Sequence, residues 1–118
     1  MKTLKEQLIG TKNQLIEHGR NANAFLKDKD GCLCMLGAVA AEVYGYDTVV
    51  EHVSTYGKLE HGTPAGPVVA ALAEQVRKKT GIDRFSYIAT VFTFNDRTPV
   101  SRNDEVFAVI DAAIEVAE

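Results

Sequence analysis

Apolar positions along this chain recur mostly at helical spacing. Leu4, Leu8, Leu15 and Ile16 form a stripe on one side of a first segment. Thr3-Leu4-Lys5-Glu6 reads as a capping box, in which hydroxyl and carboxylate satisfy free amides at a helix start. Gly19 is placed to end this helix in a left-handed conformation, and Gly10 inside it should weaken it by about 1 kcal/mol. The pattern lapses between Asn21 and Leu33. The Asp-Gly pair of Asp28-Lys29-Asp30-Gly31 favours a tight turn, which leaves room for one short β-hairpin near residues 24–33.

A second helix is expected from near Cys34 to Gly45, with Gly37, Ala38, Ala40 and Ala41 letting another helix approach closely. Asp47 can cap a short helix carrying Val49, Val50 and Val53, with Gly57 as its stop. Residues 58–67 read as loop, and Pro64 or Pro67 suits the first turn of the next helix, where no amide donor is needed. Val68, Val69, Leu72 and Val76 are the buried stripe of that helix. Residues 85–94 carry aromatic and β-branched side chains that favour a strand, but Ser86, Thr90 and Thr93 fall on one helical face, which predicts a helix. Residues 95–99 read as a turn. Ser101 with Asp104 then opens a final helix whose stripe is Val106, Val109, Ile110, Ala113, Ile114 and Ala117. The expected fold is therefore a single domain over residues 1–118, mainly α, a compact bundle of about five helices.

Size and charge narrow the function classes. A chain of 118 residues buries roughly two thirds of its unfolded surface, so one core can hold it without metal or disulfides. The net charge of -3 argues against a dedicated nucleic-acid binder, which needs a concentrated positive surface. The nearest approach to one is Arg77, Lys78, Lys79 and Arg84, at an expected helix end where cations oppose the helix dipole. Charge at Lys2, Lys5 and Glu6 breaks any secretory apolar run, and no stretch approaches the roughly 20 apolar residues of a membrane span. Cys32 and Cys34 are one residue apart, too close for an unstrained disulfide. These features lead to the expectation of a cytoplasmic protein.

The chemistry-bearing residues gather around the cysteines. Aligning Gly31 with the invariant glycine of a calcium loop puts Leu26 and Gly37 where acidic ligands belong, so calcium is not expected. Zinc would need Cys32, Cys34 and some of His18, His52 and His61, but the cysteines are closely spaced and the histidines unpaired, so no metal and no cofactor is assigned. Cys34 near a helix start is the candidate for a lowered thiol pKa, with His18 as its base and Asn95 or Asp96 orienting the histidine. Against this, Met35 and Leu36 follow it, as suits a buried cysteine. Asn95 and Asp96 are candidate binding residues, with backbone hydrogen bonding at a helix end as the favoured role.

Three local patterns stand in order: Cys34-Met35-Leu36-Gly37-Ala38, Phe94-Asn95-Asp96, and Asp104-Glu105-Val106 leading to Asp111-Ala112-Ala113. In this order the chain resembles a family of small uncharacterised proteins found in actinobacteria and their phages, over about residues 4–117. The resemblance implies the fold and a phage origin, and carries no activity. The leading expectation is a non-enzymatic protein-interaction factor acting on a host protein in the host cytoplasm, with neither nucleic acid nor membrane as partner. The alternatives are a small thiol enzyme centred on Cys34 and a self-assembling structural domain, such as a homodimer.

Overall fold

The computed structural model describes residues 2–51 and 57–117. Among the described residues five α-helices make up the fold: α1 (Leu4–His18), α2 (Met35–Tyr44), α3 (Gly66–Thr80), α4 (Tyr87–Arg97) and α5 (Asn103–Val116). The 3-10 turns Tyr46–Thr48 and Val100–Arg102 follow α2 and precede α5, respectively. Packing runs α1 on α2 and α5, and α3 on α4 and α5, while α2 also meets α4. Helix α2 is the innermost piece, buried without a break from Met35 to Ala41. A helix apolar all round can only be satisfied inside a core, and its neighbours cover every face.

The capping box of α1 forms as the sequence predicts. Thr3 Oγ1 accepts from Glu6 N at 3.1 Å and Glu6 Oε1 accepts from Thr3 N at 2.9 Å. The buried face is Leu8, Thr11 and Leu15, with Leu4 half-buried. Ile16 does not join it and is 62% exposed. One residue beyond Leu15 it is rotated by about 100° around the helix axis, out of the line of Leu8 and Leu15. Thr11 fits among the apolar side chains because its hydroxyl donates back to Gln7 O at 2.8 Å. Gly10 has a packing reason: a Cβ there would stand 2.1 Å from Glu42 Cδ, on the carboxylate that pairs with Lys2. Gly19 ends α1 with φ 86° and ψ 159°, a positive φ but not the left-handed helical cap expected.

No hairpin strand forms at residues 24–33. Among the described residues there is no strand, only isolated bridges from Leu33 to Arg20 and to Lys27. The turn at Asp28 is real, but the carboxylate builds it. Asp28 Oδ1 accepts from Asp30 N at 3.0 Å and from Cys32 N at 2.9 Å, taking up amides that a ladder would otherwise use. The segment therefore packs as an irregular loop against α2. Its closest approach is at Gly37, where a Cβ would lie 1.8 Å from Leu26 O. The small residue there makes room for a loop carbonyl, not for another helix.

No helix starts at Asp47. A 3-10 turn at Tyr46–Thr48 is followed by extended Val49, which is buried, and by exposed Val50, while Val53 lies outside the described residues. Pro67 sits in the first turn of α3, whose predicted stripe, Val68, Val69, Leu72 and Val76, is buried throughout. The segment 85–94 is helical from Tyr87 onward, as the polar spacing predicts, with Ser86 Oγ capping through Ala89 N at 3.0 Å. The turn expected at residues 95–99 begins later, because α4 continues through Asn95 and Asp96 to Arg97. Ser101 does not cap α5. It lies in the Val100–Arg102 turn, and α5 opens at Asn103 with Asp104 and Glu105 in the first turn, where carboxylates favour the helix dipole. Val106, Val109, Ile110 and Ala113 are buried, with Ile114 and Ala117 half-buried at the rim.

Candidate functional site

A buried polar assembly is centred on Arg20, a residue the sequence reading passed over. It follows the glycine that ends α1, and it is only 4% exposed. Its Nε donates to Asn103 Oδ1 at 2.5 Å. Nη1 donates to Asn95 O at 3.0 Å and Asn95 Oδ1 at 3.1 Å, and Nη2 to Thr98 O at 2.6 Å and Pro99 O at 2.9 Å. Every acceptor is uncharged, and the whole donor fork of the guanidinium is used. Burial lowers its pKa, while the nearby Asp96 and Cys34 groups act the other way. An arginine keeps its charge in such surroundings.

Asn95 and Asp96 lie beside it in the last turn of α4. Asn95 Oδ1 accepts from Arg20 Nη1 and from Met35 N at 3.1 Å, the opening amide of α2. Asn95 Nδ2 donates to Asn21 O and to Asp96 Oδ1, both at 3.1 Å. All the hydrogen-bonding capacity of this amide is therefore spent within the fold. Asp96 Oδ1 also accepts from Ala24 N at 3.3 Å, where the backbone takes a φ of 68°. Asn21 Nδ2 in turn holds Phe25 O at 3.1 Å and Cys32 O at 2.9 Å. Together these side chains fasten the loop after α1 to α2, α4 and the entry to α5.

Cys34 is the N-cap of α2 and is 2% exposed, with its Sγ accepting from Gly37 N at 3.3 Å. The lowering expected at a helix start is outweighed. Burial pushes this thiol up to about 11, although the amides of Gly37 and Leu36 favour the thiolate. His18 is committed elsewhere: its ring stacks on Tyr46, with centroids 3.7 Å apart and planes at 11°. Among the described residues no hydrogen bond joins His18 to Cys34 or to Asp96. Cys32 is half-exposed beside Gly19, and burial raises its pKa, with Asp28 and Asp30 adding to the effect. Among the described residues no group of three histidine, cysteine or carboxylate side chains is placed to hold a metal ion. His61 is exposed in the loop before α3, and His52 lies outside the described residues.

The surface offers a different feature at the start of α4. Phe85 is 97% exposed and Tyr87 54% exposed. Tyr87 lines a recess of about 370 Å³ with Leu59, Glu60, His61, Gly66, Val69, Ser86 and Ile88, between the loop before α3 and the two helices. A second recess of about 350 Å³ lies next along the chain, lined by Thr80, Gly81, Ile82, Asp83, Arg84 and Arg97. The exposed Phe85 had a sequence signal. An apolar residue just before a helix cap usually packs on the fourth helical position, but that position here is Thr90. Thr90 is buried and its hydroxyl accepts from Arg84 N at 2.9 Å, so Phe85 has no staple partner there.

No helix among the described residues is long and apolar enough to cross a membrane. The chain belongs to a family of unknown function, DUF6197, whose model matches residues 1–116. Comparison with curated proteins and with solved structures finds no match.

Proposed function

We propose that this member of DUF6197 is a non-enzymatic protein-interaction factor that takes its partner on the face formed by Phe85, Tyr87 and the adjoining recess. The observation that carries the reading is the nearly complete exposure of Phe85. Leaving so large an apolar side chain in water forgoes about 1.5–3 kcal/mol of burial. Single exposed apolar residues are ordinary, but here a second aromatic and a partly apolar recess lie within two residues of it. Aromatic anchors beside pockets are what protein interfaces use most. The polar interior supports the same reading, because Arg20 and Asn95 are saturated by the fold and Cys34 is a buried, protonated thiol at neutral pH. The resemblance to actinobacterial and phage proteins suggests a host protein in the cytoplasm as the target.

The test is affinity capture from an actinobacterial lysate with the wild-type protein and with a Phe85→Ser, Tyr87→Ser double variant. Both side chains are exposed, so the variant should keep the wild-type unfolding midpoint. The expected result is a stoichiometric partner held by the wild type and lost by the variant. A partner held equally by both overturns the proposed face. Concentration-dependent self-association that the variant abolishes would favour the self-assembling domain instead.

A further inference from the structure

Arg84 begins the short segment that runs through Phe85 to Tyr87, and it lines the second recess together with Arg97. Both side chains belong to exposed residues, and among the described residues neither makes an ion pair. The neighbouring cations differ. Arg77 is paired with Glu74, Lys78 stands 4.0 Å from the same carboxylate, and both occupy the last turn of α3, where the helix dipole favours them. Arg84 belongs to no helix, so capping does not account for it, whereas Arg97 ends α4, where the helix dipole favours it, and has no carboxylate partner among the described residues. Asp96, beside Arg97 in sequence, is turned inward to Asn95 and Ala24. The recess thus holds two uncommitted guanidinium groups and a single carboxylate, Asp83, on a molecule whose net charge is -3.

We infer that the occupant of this face is an acidic, amphipathic protein segment, whose carboxylates meet Arg84 and Arg97 while a neighbouring apolar side chain enters the recess at Tyr87. This rests on the docking face proposed above and names the chemistry of its partner. Charge complementarity carries it. The guanidinium fork matches a carboxylate in two-point geometry, and an acidic segment is repelled by the acidic remainder of the surface, so these arginines set where it lands. Glu74 and Asp83 interrupt the positive surface and Glu60 lines the recess at Tyr87, which suits spaced carboxylates set apart from the apolar anchor better than a continuous phosphate backbone.

The experiment pans a library of short random displayed peptides on the folded protein and measures the synthesised winners against variants. Winners are expected to be rich in Asp and Glu around an aromatic or aliphatic residue. Their affinity should fall about tenfold or more in Arg84→Glu, Arg97→Glu, and fall with rising salt. It should fall also in Phe85→Ser, with all variants keeping the wild-type circular dichroism and only Arg97→Glu lowering the unfolding midpoint slightly, as a carboxylate in the last turn of α4 does. Neutral winners that need Phe85 and Tyr87 but ignore the charge reversal overturn the acidic partner and leave the docking face standing. Winners indifferent to all four positions, or no winners, overturn both. Duplex DNA or RNA bound in place of acidic peptides, or a dimer in sedimentation that the charge reversal dissociates, assigns the recess to a nucleic acid or to a second copy and overturns the inference.

Discussion

Arg20 keeps its positive charge inside the fold with neutral acceptors around it. Removing a guanidinium from water is costly, and hydrogen bonds to charged donors offset this only when every donor is used. Here the acceptors are three backbone carbonyls and two asparagine side chains, contributed from residues 75 to 83 positions away. Asn95 and Thr98 are buried, so deleting the donor leaves their oxygens unpaired, while Pro99 is exposed and Asn103 half-buried. Arg20→Met should therefore lower unfolding stability by about 3 kcal/mol or more, and Arg20→Lys should recover little of it, because an ammonium cannot span the fork. Denaturant midpoints of the two variants check this, and a Met variant within about 1 kcal/mol of wild type would contradict it. Asn95 was legible in the sequence as a backbone-binding side chain, though for a turn that lies further on. Arg20 was not legible, since nothing in its immediate sequence neighbours shows that its acceptors come from the far end of the chain.

The loop between α1 and α2 is the element whose conformation owes least to its own pattern. Its turn comes from Asp28, its anchor from Asn21, and its seat on α2 from the missing side chain of Gly37. In an isolated helix, alanine is better than glycine by about 1 kcal/mol. At residue 37 the order should reverse. A Cβ 1.8 Å from Leu26 O meets backbone, not a flexible side-chain end, so the loop and helix must separate. Gly37→Ala is expected to cost about 3 kcal/mol or more, or to yield no folded protein. Urea unfolding of this variant beside Gly81→Asn, an exposed left-handed cap position, separates packing from backbone effects. If Gly37→Ala were as stable as wild type, the close approach would be wrong. The helix prediction at residues 85–94 succeeded for a reason that belongs to this scale: Thr90 keeps the helical period although it faces inward, because it accepts a bond from the Arg84 amide.

Over the whole molecule, the stability curve should carry the mark of the buried thiol. Cys34 has an ordinary value of 9.0 and is pushed to about 11 in the fold. The folded state thus holds this proton more tightly than the unfolded chain. Its contribution is fully present below pH 9 and is lost as the pH rises through 11. Stability is expected to fall by about 2–3 kcal/mol across that window on this account. Cys34→Ala removes the thiol and should flatten this part of the curve. Equilibrium unfolding of both proteins at stepped pH from 7 to 11 measures the difference, and identical slopes would show that Cys34 is not the responsible group.

The helices, their order and most of their inward faces follow from the sequence alone. Periodicity and capping act within a few residues, and the Thr3 box, the α3 stripe and the α5 stripe are visible at that range. Tertiary structure decided the rest. It replaced a hairpin with a side-chain-built loop, exposed Ile16, and turned Asn95 inward to meet Arg20. It also set the thiol of Cys34, where local amides favour the thiolate and burial among distant residues opposes them more strongly. The physical reason is common to all of these. Desolvation and hydrogen-bond satisfaction depend on which remote groups arrive at a site, and those partners are separated along the chain by stretches that no local pattern connects.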